Sequence, residues 1–362
     1  MAVQGNFIIT GGSNGIGRAM VLRAARELSS GNKIVFVGSR DPEKIKTDAA
    51  LLALVQSGQA TYIQCDVANP LAIASTLRNG AEDFFGNSLK TAPLHLVASA
   101  GIARSDKDAA EVSIMVRINL GGTVNLLDTF NRYQSPGSTF TTLGSIVRLR
   151  ALPGNQTYAH TKEIVEDLAA ASTAMPNIAA AICVVPGLID TRMTQEEPAF
   201  PMLGVDVVKA VATHEALRSG LASFLGIPED KLLALQSGDR LIAILARAGF
   251  ELGTETLTRL EVQPVSDTRI PVDEKTGKRL ARFAGKDVAE GKIAAVAMGV
   301  LRDDPQMKGA LAGALKALDI LVAPEVVADR WYAQLETGKT PEHGILEVYS
   351  EHGQDPILQF FA

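Results

Sequence analysis

The chain has 362 residues, 46% hydrophobic and 21% charged, with a formal net charge of −5. That length supports a large buried core without disulfide staples, and mild acidity with no basic stripe argues against a nucleic-acid partner. The two cysteines, Cys65 and Cys183, lack metal-ligand spacing and sit in apolar runs, so they read as buried thiols of a reducing, cytoplasmic compartment.

The opening MAVQGNFIIT enters a strand-like run at once, which leaves no room for a signal peptide. Strands are predicted at Asn6–Thr10, Lys33–Gly38, Ala60–Asp66, Leu94–Ala98, Ser138–Gly144 and Ile178–Val185. They are rich in valine and isoleucine and almost continuously apolar, as strands of a parallel sheet covered on both faces are. Helical patterns such as Ile16–Leu28 and Tyr158–Met175 alternate with them, and this βαβ rhythm predicts a doubly wound α/β domain. The uncharged stretch Leu168 to Ile189 is long enough to span a membrane. Pro176-Asn177 and Pro186-Gly187 interrupt it, so it reads as helix, turn and buried strand.

Near Glu196 the rhythm changes. Residues 196–320 read as a mainly helical inserted lobe, with helices at Val205–Ser219, Pro228–Gln236, Asp239–Ala248, Asp287–Arg302 and Pro305–Ile320. A hairpin of Thr268–Val272 and Lys278–Phe283 turns at Glu274–Gly277. Pro324 then opens a helix to about Glu336, with proline in the first turn, and Gly344–Tyr349 reads as the last strand. The α/β domain is thus expected to comprise residues 1–195 plus 321–362. The lobe is expected to cap a substrate or to serve subunit contacts.

Thr10-Gly11-Gly12-Ser13-Asn14-Gly15-Ile16-Gly17 directly follows the first strand and opens the first helix. Glycines there permit a tight turn and a close backbone approach to a pyrophosphate, while the helix N-terminus supplies N–H groups and partial positive charge. This is the setting of a dinucleotide site in a Rossmann fold. The spacing TGxxxGxG resembles that of the short-chain dehydrogenase/reductase family.

The resemblance continues in register. It implies that Asp66, in Cys65-Asp66-Val67, receives the adenine amine. Ala98-Ser99-Ala100-Gly101 stands where the family has Asn-Asn-Ala-Gly, keeping the last two residues and losing both asparagines. Pro186-Gly187-Leu188-Ile189-Asp190-Thr191 resembles the family segment beside the nicotinamide, with the Ile189 backbone at the carboxamide and Thr191 assisting.

The second strand ends in Gly38-Ser39-Arg40, where an NAD site favours a carboxylate for the ribose 2′-hydroxyl. Ser39 and Arg40 suit a 2′-phosphate instead, through charge-assisted hydrogen bonds, with Arg18 as a helper. NADP(H) is therefore the expected cofactor.

Tyr158 and Lys162 lie four residues apart, on one face of a helix. Ser145 stands at the end of an apolar strand thirteen residues before Tyr158, and Asn119 lies further upstream. Together they resemble the family's Asn-Ser-Tyr-Lys tetrad. The resemblance implies that Tyr158 exchanges a proton with a carbonyl or alcohol oxygen held by Ser145. Lys162 would lower the phenol's pKa and hold the ribose, and Asn119 would orient a relay water. His160 points off that face and reads as a partly buried structural residue. Arg148 and Arg150 read as surface residues, or else as binders of an acidic substrate.

The expected function is interconversion of a ketone or aldehyde and an alcohol, as a carbonyl reductase, in a homo-oligomer (dimer or tetramer) with no metal. Two other classes compete. A cofactor-binding sensor would tend to lack the tyrosine or lysine, and a sugar-nucleotide epimerase or dehydratase would show a TGxxGxxG turn.

Overall fold

The computed structural model describes residues 3–27, 31–38, 42–104, 106, 108–148, 156–189, 191, 193, 229–230 and 321–349. The chain separates into two units, Met1–Met193 with Val322–Ala362, and Thr194–Leu321. The helices and hairpin predicted between 196 and 320 lie almost wholly outside the described residues, as do Ser39, Arg40, Arg150 and Asp190.

In chain order come β1 (Asn6–Thr10), α1 (Gly15–Arg26), β2 (Ile34–Gly38), α2 (Ala49–Gln56), β3 (Ala60–Gln64), α3 (Pro70–Ala72), α4 (Arg78–Phe85), α5 (Ser88–Thr91) and β4 (Leu94–Ala98). There follow α6 (Ala109–Val116), α7 (Gly122–Phe130), β5 (Ser138–Leu143), α8 (Gln156–Ser172), β6 (Ile178–Pro186), β7 (Leu188–Ile189), β8 (Leu321–Val322), α9 (Pro324–Glu336) and β9 (Ile345–Val348). Seven strands form one sheet in the order β3-β2-β1-β4-β5-β6-β9, and β7 pairs with β8 separately. Every neighbouring pair in the large sheet is parallel. This is a doubly wound Rossmann sheet, with strand order running outward in both directions from the β1–β4 pair.

The apolar runs arise because successive strand residues point to opposite faces and both faces are covered. In β1, Phe7 and Ile9 join Met20 and Val21 of α1 and Trp331 of α9. Ile8 between them joins Leu77, Leu126 and Phe130 on the other side. In β2, Ile34 and Phe36 alternate in the same way with Val35 and Val37.

The last helix returns to the α1 side. Trp331 is fully buried and donates its indole N–H to Thr141 Oγ1 of β5 at 3.1 Å. Arg23 of α1 pairs with Asp329 of α9 at 2.7 Å and lies over the Tyr332 ring at 4.1 Å.

The bounds of β1, β4 and α9 agree with the sequence reading, while the other strands and α8 shift by one to three residues at an end. The uncharged stretch 168–189 is the end of α8, a turn and β6 with β7. Among the described residues no helix is long and apolar enough to cross a membrane.

Candidate active site

The predicted binding and reacting segments leave the sheet at the carboxyl ends of β1, β3, β4, β5 and β6, the edge where such sheets hold ligands. The turn after β1 needs its glycines for two reasons. Gly11 and Gly15 have φ of +67° and +54°, values that side chains rarely adopt. A Cβ on Gly11 would lie 2.8 Å from Ala100 N, and one on Gly17 would lie 2.4 Å from Gly11 O and 2.9 Å from Ser99 Oγ. The turn therefore packs onto the segment after β4. Thr10 ties the two together, its Oγ1 donating to Val97 O and accepting from Ala100 N, each at 3.3 Å.

At the start of α1, the Asn14 side chain makes no capping bond and the first turn holds no acidic residue. The amides of Gly15, Ile16 and Gly17 thus suit an anion. A Cβ on Gly15 would lie 3.4 Å from Thr191 Cγ2, so Thr191 is brought against the glycine turn. Ile189 is buried, and its carbonyl accepts from Thr191 N at 2.7 Å. Gly187 N donates to Val348 O of β9 at 3.0 Å, which anchors Pro186-Gly187. Beyond β3, Asp66 is exposed and accepts from Ala68 N at 3.0 Å, while Val67 is buried against Gly122.

Ser145 follows β5 and is almost buried. In α8, Ala159, Lys162, Val165, Ala169 and Ser172 are buried at helical spacing and fix which face meets the sheet. Tyr158 stands half-buried one turn before Lys162. Lys162 Nζ donates to Leu143 O, at the end of β5, at 2.9 Å and lies 5.5 Å from the centre of the Tyr158 ring. Burial pushes this ammonium down to about 8 from its ordinary 10.5, because the charged form loses water, with Cys183 acting weakly the other way.

Asn119 is buried in a π-helical turn, Arg117–Gly121, between α6 and α7. Such turns often mark functional sites. Its Nδ2 donates to Ile102 O at 2.9 Å and to Thr161 Oγ1 at 3.2 Å, and its Oδ1 accepts from Ile102 N at 2.8 Å. A Cβ on Gly101 would lie 3.3 Å from Asn119 Oδ1 and 3.4 Å from Lys162 Nζ, so glycine there lets the two side chains converge.

The sequence model of the short chain dehydrogenases matches residues 6–201, more than half of the chain. The chain belongs to the short-chain dehydrogenase family. It is thus an oxidoreductase by family. The chain is 26% identical over 203 residues, 53% of this chain and 69% of the relative, to a 3beta-hydroxysteroid dehydrogenase of Mediterraneibacter gnavus. Among solved structures, a short-chain glucose/ribitol dehydrogenase from Brucella melitensis is 25% identical, covering 57% of this chain and 82% of that one, with a TM-score of 0.47. A short chain dehydrogenase from Burkholderia cenocepacia in complex with NADP is 22% identical, covering 71% and 94%, with a TM-score of 0.46.

Several expectations change on this short-chain dehydrogenase scaffold. Arg18 is paired with Asp48, Nε to Oδ2 at 2.5 Å and Nη2 to Oδ1 at 3.0 Å, and so braces α1 on α2. The pairing raises the guanidinium's pKa and lowers that of the carboxyl. Arg148 pairs with Glu166 at 2.9 Å and Glu347 at 3.2 Å, an internal clamp of α8 and β9, where the sequence suggested a surface residue or, failing that, a binder of acidic substrate. Both N–H groups of the Asn119 amide are engaged, so the side chain holds the loop and α8 together. His160 is exposed, not partly buried.

Three contributors escaped the sequence reading. Thr10 joins the turns after β1 and β4, as above. Thr161 Oγ1 links Tyr158 O at 2.8 Å to the Asn119 amide, and its place within Tyr158–Lys162 on the buried side was a usable signal. Asp106 accepts from Thr157 N at 3.3 and 3.2 Å and so caps the turn bearing Tyr158; no local pattern foretells that partner.

Proposed function

We propose that this short-chain dehydrogenase is an NADP(H)-dependent carbonyl reductase, interconverting a ketone or aldehyde and an alcohol. The observation that carries the reading is the buried Lys162 ammonium beside the Tyr158 ring, on a helix strapped by Asn119 to the segment that packs on the glycine turn.

The turn fits a dinucleotide: side chains are excluded at Gly11 and Gly17, and the first amides of α1 lack an acidic neighbour in that turn. In this reading the backbone of Gly11, Ser13, Asn14, Gly15, Ile16 and Gly17 binds the pyrophosphate. Asp66 and Val67 take the adenine, Ser39 and Arg40 the 2′-phosphate, and Ala100 and Gly101 border the adjoining ribose. Pro186, Gly187, Ile189 and Thr191 flank the nicotinamide. When bound, that ring supplies or accepts the hydride.

Tyr158 handles the proton. A phenol ordinarily titrates near ~10, which makes it a poor base at neutral pH. A cation near the ring favours the phenolate, so Tyr158 can take a proton from an alcohol or return one to a carbonyl oxygen. Ser145, at the mouth of β5, donates to that oxygen and orients it. An ammonium has three donors, of which Leu143 O takes one; the others are assigned to the nicotinamide ribose hydroxyls. Asn119 acts as a positioning residue, holding loop and helix in place.

The test is NADPH oxidation by the full chain against a panel of ketones and aldehydes, a 3-ketosteroid among them, with Tyr158→Phe as control. Turnover lost by roughly 10²-fold or more in the variant is expected, since acid–base catalysis contributes that much. Tight NADPH binding with no turnover on any carbonyl or alcohol would overturn the reading in favour of a sensor. The proposal includes a cytoplasmic homo-oligomer, and light scattering that finds only monomer at micromolar concentration would refute its oligomeric part.

A further inference from the structure

The carboxyl end of β2 carries a polar feature that the glycine turn does not account for. Gly38 is the last residue of β2, and its φ lies outside the left-handed region. Its backbone therefore does not require glycine, but its surroundings do. A Cβ there would lie 2.7 Å from Ser13 Oγ, 3.0 Å from the Tyr62 hydroxyl oxygen and 3.2 Å from Tyr62 Cε2. The missing side chain is what lets two hydroxyls gather at this strand end.

Tyr62 reaches the spot from β3. It stands beside Phe36 in the parallel register, its ring centre 5.4 Å from that of Phe36 at 52°. The ring packs against the core layer on the α1 side. Apolar contacts thus hold the ring while its hydroxyl lies at the end of β2, a division of labour that suits tyrosine. Ser13 comes to the same strand end from within the glycine turn. In doubly wound sheets the end of the second strand meets the adenosine ribose, and its chemistry separates a 2′-hydroxyl from a 2′-phosphate.

We infer that Tyr62 is a specificity-determining residue, its hydroxyl donating with that of Ser13 to the 2′-phosphate of NADPH. A hydrogen bond to a phosphate is charge-assisted and about twice as strong as one to a neutral ribose hydroxyl. Gly38 is then the permissive position that admits both donors. The inference rests on the NADP(H) reading above and deepens it.

Calorimetric titration of NADPH and NADH into the full chain tests it without any substrate. Tyr62→Phe keeps the ring and is expected to weaken NADPH roughly tenfold, the scale of a hydrogen bond to a charged group, while NADH changes less than about twofold. Gly38→Ala, which displaces both hydroxyls, is expected to act in the same direction and serves if Tyr62→Phe does not fold. A wild type that prefers NADPH, with Tyr62→Phe weakening both cofactors equally or neither, overturns the inference and leaves the NADP(H) reading standing. A wild type that binds NADH at least as tightly as NADPH overturns that reading, and the inference with it.

Discussion

Lys162→Met should make the protein more stable at neutral pH while abolishing its turnover. The Lys162 ammonium is buried, and its pKa falls from 10.5 to about 8, so the folded state holds this proton about 2.5 units less readily than the unfolded chain. At roughly 1.4 kcal/mol per unit, the buried charge costs about 3 kcal/mol. The sign follows from the proton balance. Above pH 10.5 lysine is neutral in both states and the cost is nil. As pH falls from 10.5 to about 8 the unfolded chain takes up the proton first, so stability is lost, and below about 8 the full cost persists.

Methionine matches the stem without the charge but leaves Leu143 O without this donor, at about 1–2 kcal/mol. The net gain at pH 7 is therefore about 1–2 kcal/mol, a rise of a few degrees in melting temperature. Above pH 10.5 only the lost hydrogen bond remains, and the variant should be the less stable protein. Urea unfolding followed by circular dichroism at pH 7 and near pH 10.5 reads both limits. A variant less stable than wild type at pH 7, or one whose difference does not change with pH, would refute the desolvated-cation account. Agreement would mean that the site carries a destabilising charge for its function.

Three other predictions follow from the same structure. His95 is buried between Gln4 O and Thr139 Oγ1, and desolvation lowers its pKa to about 4 from 6.5. Stability should thus fall between pH 6.5 and about 4, by roughly 3 kcal/mol in all; urea midpoints at pH 7 and 4.5 should show a smaller drop in His95→Gln. Trp331→Ala should cost about 3–5 kcal/mol, the usual scale for emptying a buried aromatic site. Trp331→Phe should cost less, chiefly through the lost partner of Thr141, and equal costs in denaturant would contradict the packing described. Asp106→Ala should speed amide hydrogen exchange at Thr157 and Tyr158 severalfold, in line with the loss of a helix cap worth ~1 kcal/mol. Asp106→Asn should restore protection, and no change in either variant would remove Asp106 from the site.

The middle of the sheet was legible in the sequence because β1, β2, β4 and β6 are buried on both faces, which writes a nearly unbroken apolar run into each, whereas the edge strands β3 and β9 are only partly buried. The glycine turn was legible because backbone conformation and close packing both demand glycine at known spacing after a strand. Tyr158 and Lys162 were legible because helical geometry is local. Partner choice across the fold was not. Arg18 was free, on the sequence alone, to bind a phosphate, yet Asp48 claims it from the start of α2. Arg148 is taken by Glu166 and by Glu347, the latter 199 residues away. The π-helical turn at Asn119 left no trace in the apolar pattern of α6 and α7, since it adds a residue to a turn without changing the residue types that cover the sheet.

The central claim is that Tyr158 passes a proton to a carbonyl oxygen while hydride reaches its carbon. The most direct measurement uses NADPH carrying deuterium at the transferable position, incubated with the wild type and each carbonyl of the panel, with mass spectrometry of the products. The account predicts an alcohol bearing one deuterium on the former carbonyl carbon, formed by wild type and lost by roughly 10²-fold or more in Tyr158→Phe, the scale of acid–base catalysis. Labelled alcohol formed equally well by Tyr158→Phe would contradict it.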